Sequence, residues 1–203
     1  AFSKGVTRKM KILYHDIVTP CGQPADVVIS GLQKFIRRGM TEEAVRAAYE
    51  LFLTGEELTE YLWKRLLVIS AEDIGMGNPM ATIVVEALQN AAARITRENP
   101  DYAIFIVQAV RYLCSCEKER GASILSSVIK RRIRDGESFE FPDYVFDMHT
   151  VKGQAEHRGI EHFFEEAAQI YPKAEQSEEH AAYWRELEQE LIRRKKEDVE
   201  ENE

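Results

Sequence analysis

Residues 57–79 read ELTEYLWKRLLVISAEDIGMGNP, and the fold turns on this stretch. Leu58, Leu62, Leu66 and Ile69 recur at helical spacing, which predicts a helix over 57–73 with those four side chains inward. The pattern runs out at Gly75 and Gly77, and Asn78-Pro79 opens a new element. Asn is a residue that caps a first turn. Pro fits the first helical position, where its missing N–H would have found no partner in any case. A periodic apolar run closed by glycine and reopened by Asn-Pro is a join between two helices.

The same punctuation continues on both sides. Val28, Leu32, Phe35 and Ile36 predict a helix over 26–38 that stops at Gly39. Thr41 is expected to cap a second helix, with Glu42 and Glu43 placed well against its dipole. Val45, Ala48, Leu51 and Phe52 form its stripe, and Gly55 ends it. Asn99-Pro100 is a second clean start. The helices opened at 78 and 99 carry Ile83, Ala87, Leu88 and Ala91, then Phe105, Ile106, Ala109 and Leu113. A sixth helix over 117–134 is expected to bury Ala122, Leu125, Ile129 and Ile133 and to end at Asp135-Gly136. No hairpin dipeptide and no alternation of strands with helices interrupts the series. The fold class is therefore all-α, an antiparallel helical array over residues 25–136. Residues 1–24 read as a basic N-terminal arm, with Lys4, Arg8, Lys9 and Lys11. Residues 137–203 hold an aromatic and histidine-rich loop followed by C-terminal helices. They are expected as an extension docked on the body.

Composition narrows the function classes. The 203 residues are 44% hydrophobic and 31% charged, an ordinary globular balance that excludes global disorder and fibrous repeats. No apolar run approaches the roughly 20 residues of a membrane span, so a cytoplasmic setting is expected. Cys21, Cys114 and Cys116 cannot all pair and suit a reducing compartment. The net charge of −8 is mostly a tail property: residues 175–203 hold 11 acids and 5 Lys/Arg, a net of −6. The remaining residues carry only −2, which says little against nucleic acid as a partner.

Three segments carry a resemblance to a known family. Ser30-Gly31-Leu32-Gln33-Lys34-Phe35-Ile36-Arg37-Arg38-Gly39 is the first. Ser70-Ala71-Glu72-Asp73-Ile74-Gly75 with Asn78-Pro79 is the second and most specific. Gln108-Ala109-Val110-Arg111-Tyr112-Leu113 followed by Lys118 is the third. Together they resemble the C-terminal region of the replication-associated recombination protein A family, AAA+ relatives of the clamp loaders that include the Werner-helicase-interacting protein. The resemblance covers roughly half of the chain. It implies a collar-like all-α body, assembly into a homotetramer and work at stalled replication forks. The motif residues it singles out are Glu72, Asp73, Gly75, Asn78, Pro79, Gln108 and Lys118. The chain departs from the family in having no G-x-x-x-x-G-K-[ST] loop, so neither a nucleotide nor any other cofactor is expected, and no catalysis.

Several clusters could carry chemistry. Lys130, Arg131, Arg132 and Arg134 make the sixth helix basic. With Lys118, Arg120, Lys34, Arg37 and Arg38 they are candidates for a surface that tracks DNA phosphates. The alternative is a solvated face paired with acids elsewhere. Glu72 and Asp73, acids at a helix C-terminus, oppose the dipole and call for a partner: a cap across the glycine turn, a contact with Lys118, or another protein. Asp147, His149, His157 and His162 could supply a metal-dependent hydrolase, a second function class. The spacing opposes this, because no two of these histidines stand at the i, i+4 spacing of a helical metal pair, and His157 and His162 are five apart. The expected partners are further copies of the chain, with DNA at replication forks or replication proteins, and no membrane.

Overall fold

A computed structural model describes residues 13–175 and 177–200. The part of the expected arm at residues 1–12 lies outside the described residues. The described residues divide into two compact units, one up to Gly136 and one from Glu137. Among the described residues there is no strand, only an isolated bridge between Val18 and Pro24. The all-α expectation is met.

Six helices build the first unit: α1 (Ala25–Arg37), α2 (Thr41–Thr54), α3 (Glu56–Ile69), α4 (Ala81–Ala92), α5 (Tyr102–Ser115) and α6 (Gly121–Arg134). The first five wrap one core. Leu32 and Ile36 of α1, Ala44, Ala48 and Leu51 of α2, and Leu62, Leu66 and Ile69 of α3 are buried together with Val85 of α4 and Ile106, Val110 and Leu113 of α5. The alanines of α2 let α1, α3 and α5 pack against it closely. Each fully buried Leu or Ile contributes about 1.5–3 kcal/mol relative to exposure. Polar ties reinforce the apolar ones. Trp63 Nε1 donates to the Tyr102 hydroxyl at 3.1 Å, and Phe52 stacks on Tyr102 at 5.8 Å.

Three local readings shift. α4 and α5 begin two residues beyond the expected prolines, at Ala81 and Tyr102. Asn78 and Asn99 still order these starts, their side-chain oxygens accepting from the Met80 N–H at 3.2 Å and the Asp101 N–H at 2.9 Å. Thr41 is the first helical residue and caps nothing; its hydroxyl donates back to the Gly39 carbonyl. In α4 the apolar residues divide between two faces. Ala81, Val85 and Ala92 are buried, while Ile83 and Ala87 are exposed.

The largest correction concerns α6. Ala122, Leu125, Ile129 and Ile133 were expected inward, yet all are exposed and the helix buries none of its residues. After Cys116, which still belongs to the core, the segment 117–119 packs on the turn at Gly75 and Gly77. α6 then meets the turns at 70–77 near its start.

The second unit contains α7 (Val151–Ala155), α8 (Ile160–His162) and α9 (Glu178–Glu200). A wide turn over Phe163–Ala167 follows α8. Thr150 caps α7 by accepting from the Gly153 N–H at 3.0 Å. Phe164 is buried and sits edge-on to Phe163 and Trp184. Arg158 organises the loop: it donates to the carbonyls of Asp143 and Phe146 at 2.8 and 3.0 Å, and pairs with the Asp143 and Glu156 carboxylates at 2.6 and 2.7 Å. Within the described residues α9 continues through Glu200. Arg193 bridges Glu190 and Glu197 one turn to either side.

Candidate functional site

The end of α3 is where the most specific motif becomes geometry. After Ile69 the chain widens into a turn with i to i+5 bonding over Ser70–Ile74, and this extra residue per turn swings Asp73 inward. Asp73 is fully buried. A lone buried carboxylate would be severely penalised, so its surroundings must supply positive charge and hydrogen bonds. Arg37 Nε donates to Asp73 Oδ1 at 2.6 Å, and Gln33 Nε2 donates to Oδ2 at 2.8 Å. Arg120 Nε lies 3.2 Å from Oδ1. Glu72 faces the same guanidinium groups, 3.8 Å from Arg37, 3.6 Å from Arg65 and 3.8 Å from Arg120. Arg65 also donates to Gln33 Oε1, which orients the amide toward Asp73. Three guanidinium groups therefore converge on two carboxylates, and they come from α1, α3 and the approach to α6.

Sequence reasoning asked for a partner for Glu72 and Asp73 and looked to Lys118. Lys118 instead donates to the carbonyls of Cys114 and Cys116, closing the last turn of α5. Arg65 and Gln33 were missed. Arg65 lies seven residues, two helical turns, before Glu72, so a shared face was the one available signal.

The glycines of the motif serve close approach. Gly75 adopts φ +50°, and a Cβ there would stand 2.8 Å from the Glu119 carbonyl oxygen. At Gly77 it would stand 2.6 Å from that of Glu117. The segment 117–119 thus lies directly on the turn, and the Glu119 N–H donates to the Asp73 carbonyl at 3.0 Å. Asn78 completes the corner. Its amide donates to the Tyr112 hydroxyl at 2.9 Å and reaches Cys116 Sγ at 3.3 Å. Cys114 and Cys116 are buried here, and burial pushes the Cys114 thiol pKa up, whereas Cys21 is exposed. Pro79 and Gln108 are exposed, and Arg111 leans on Gln108 at 3.4 Å.

The nine cations singled out for DNA divide into two sets. Arg37, Arg120 and Lys118 are engaged in the contacts above. Lys34, Arg38, Lys130, Arg131, Arg132 and Arg134 are exposed on α1 and α6. Lys34 donates to the Ser30 hydroxyl, Arg38 to the Lys34 carbonyl, and Arg134 pairs with Asp135. α6 contains no acidic residue.

The metal reading is overturned. Among the described residues no group of three or more His, Cys, Asp or Glu side chains could hold a metal ion. Asp147 Oδ1 accepts from the His149 N–H at 2.9 Å, so it organises a turn. The His149 ring stands edge-on to Phe163 at 5.4 Å. His162 Nε2 lies 3.3 Å from an Arg158 guanidinium nitrogen, whose charge would repel a cation. His157 turns the chain at φ 57°.

A model of the MgsA AAA+ ATPase C-terminal family matches residues 41–202. The replication-associated recombination protein A of Bacillus subtilis is 32% identical over 136 residues, covering 66% of this chain and 31% of that protein. Its counterpart in Haemophilus influenzae is 28% identical over 118 residues, 58% of this chain and 26% of that protein. An uncharacterized AAA domain-containing protein of Mycobacterium tuberculosis is 24% identical over 122 residues, 60% and 26% of the two lengths. The matched part of the chain thus corresponds to less than a third of each of these relatives.

Proposed function

The chain belongs to the MgsA AAA+ ATPase C-terminal family, and from that premise we propose that it is a non-catalytic assembly and DNA- or partner-binding module of replication and recombination repair, acting in the cytoplasm as a homotetramer. Two relatives bear the name replication-associated recombination protein A, which supports the setting. No described helix is long and apolar enough to cross a membrane.

The observation that carries the DNA part is α6. Lys130, Arg131, Arg132 and Arg134 fall within five consecutive residues of an acid-free, exposed helix. Such a helix offers phosphates a sequence-independent electrostatic surface. Lys34 and Arg38 add exposed positive charge on α1. Base readout is not expected, because no motif places a recognition helix in a groove.

The test is binding to fork, duplex and single-stranded DNA over a salt series, followed by fluorescence anisotropy. Charge reversal at Lys130, Arg131 and Arg134 should weaken binding alike for all base sequences. It should flatten the log–log salt slope by about 0.9 per lost phosphate contact on duplex, or about 0.7 on single strands. An intact chain that binds none of the three at low salt replaces the DNA reading with a protein-partner one. ATP turnover that a single substitution in the purified chain abolishes would oppose the non-catalytic part.

A further inference from the structure

The charged cluster at the end of α3 is short of acceptors. Arg37, Arg65 and Arg120 face Glu72 and Asp73, three positive charges against two negative. Among the described residues, the buried Nε of Arg65 has no hydrogen-bond partner. The Nε of Arg120 has none either, because its 3.2 Å approach to Asp73 Oδ1 is out of line for a hydrogen bond. A buried guanidinium N–H without an acceptor is costly. Two of them in one cluster call for an acceptor from outside it.

Glu72 is the ill-fitting member. Its Oε1 stands 3.8 Å from Nη2 of Arg37 and 3.8 Å from Nη2 of Arg120, and its Oε2 stands 3.6 Å from Nη2 of Arg65. All three distances are too long for hydrogen bonds. The cause is shape. A carboxylate is flat and has two oxygens, while the three guanidinium forks arrive from different parts of the chain. A tetrahedral oxyanion presents four oxygens in three dimensions, so it can accept from three forks at once. It also answers the surplus positive charge, which a neutral acceptor would leave in place.

The cluster is open to a solute. The Arg37, Arg65 and Arg120 side chains are 29%, 24% and 40% exposed, and that of Glu72 is 28% exposed. Glu72 makes no hydrogen bond among the described residues and is free to swing toward solvent. Asp73 is fixed by the Arg37 and Gln33 donors and stays. The nearby Glu119 carboxylate is engaged by the Met76 and Gly121 N–H groups.

We propose that Arg37, Arg65 and Arg120 form a binding site for a phosphate-type oxyanion, guarded by Glu72, which the ion displaces. The ion is either free phosphate or a phosphate group of a nucleic-acid strand. The site does not include the basic run of α6, so it stands or falls apart from the DNA reading above.

The test titrates inorganic phosphate into the wild-type chain, Glu72→Gln and Arg65→Ala by isothermal calorimetry, with chloride holding the ionic strength constant. Circular dichroism checks that each variant is folded. We expect saturable binding to the wild type, about fivefold tighter binding to Glu72→Gln and none to Arg65→Ala. The double charge reversal Lys130→Glu and Arg131→Glu on α6 should leave phosphate binding unchanged. A second arm replaces phosphate with a single-stranded oligonucleotide at low salt. An affinity that falls with Arg65→Ala identifies strand phosphates as the source, and one indifferent to Arg65 identifies free phosphate. Absence of saturable phosphate binding to both the wild type and Glu72→Gln overturns the site. So does binding that survives Arg65→Ala, that Glu72→Gln does not strengthen, or that the α6 reversal abolishes. Should Arg65→Ala fail to fold, the response of Glu72→Gln decides alone.

Discussion

Asp73 and Arg120 lie 3.2 Å apart, one at the end of α3 and the other at the threshold of α6, and Arg37 of α1 reaches the same carboxylate oxygen at 2.6 Å. One buried oxygen thereby draws three parts of the chain together. Asp73 has no solvent exposure, whereas the Arg37 and Arg120 side chains are 29% and 40% exposed. The cluster is thus a buried anion reached by cations that keep a route to water.

That asymmetry predicts unequal effects for the two acids. Asp73→Ala should destabilise the first unit by about 3 kcal/mol, the low end for breaking a buried pair, because the abandoned arginines can turn to solvent. Glu72→Gln, with a more exposed carboxylate, should stay within about 1 kcal/mol. Urea unfolding of the two variants checks the order, and equal effects would show that the network does not distinguish its acids.

The approach of segment 117–119 makes a steric prediction. Gly77→Ala should destabilise by about 1–3 kcal/mol, because the added methyl would meet the Glu117 carbonyl and backbone must shift. Hydrogen exchange should show the loosening at the start of α6 as well as at the turn itself.

The exposure of α6 separates apolar residues that look alike in sequence. Leu113→Ala, in the core, should cost about 2–5 kcal/mol. Ile133→Ala, on α6, should change stability by no more than about 0.5 kcal/mol. A large cost at Ile133, measured by thermal unfolding, would place that residue in a packed environment.

Acid titration should separate Asp143 from ordinary carboxylates. The hydrogen bond from Arg158 holds Asp143 below its usual range. Its folded-state pKa is depressed, so the stability it contributes is present above the unfolded value near 3.9 and fades as pH falls through the lower folded value. Asp143→Asn should therefore weaken the second unit at neutral pH, with the gap to wild type closing below about pH 4. NMR chemical shifts of the Asp143 carboxyl would show the depressed midpoint directly.

The helices of the core were legible because each has one apolar stripe at a 3.6-residue period, which is also the face that packs. Leu58, Leu62, Leu66 and Ile69 are all buried as their spacing indicated. The same logic misled at Leu125 and Ile129, since periodicity reports an apolar face without reporting what covers it. Ile83 and Ala87 show the companion problem: an apolar helix with two apolar faces does not say which one faces in. At the Glu72–Asp73 cluster the need for a partner was legible from two acids opposing a helix dipole. The partners were not, because Arg37 and Arg120 lie 36 and 47 residues from Asp73 and only tertiary packing brings them there.

The three thiols of the chain differ in access, and this gives the molecule its own stopwatch. Cys21 is open to any thiol reagent, while Cys114 and Cys116 are closed in at the end of α5, beneath Asn78 and beside Lys118. A reagent should label the first thiol at once and the other two only as fast as that corner parts. The first thiol counts the molecules present, and the delayed pair times the separation of α5 from the turn at residue 78, with no dye or tag added.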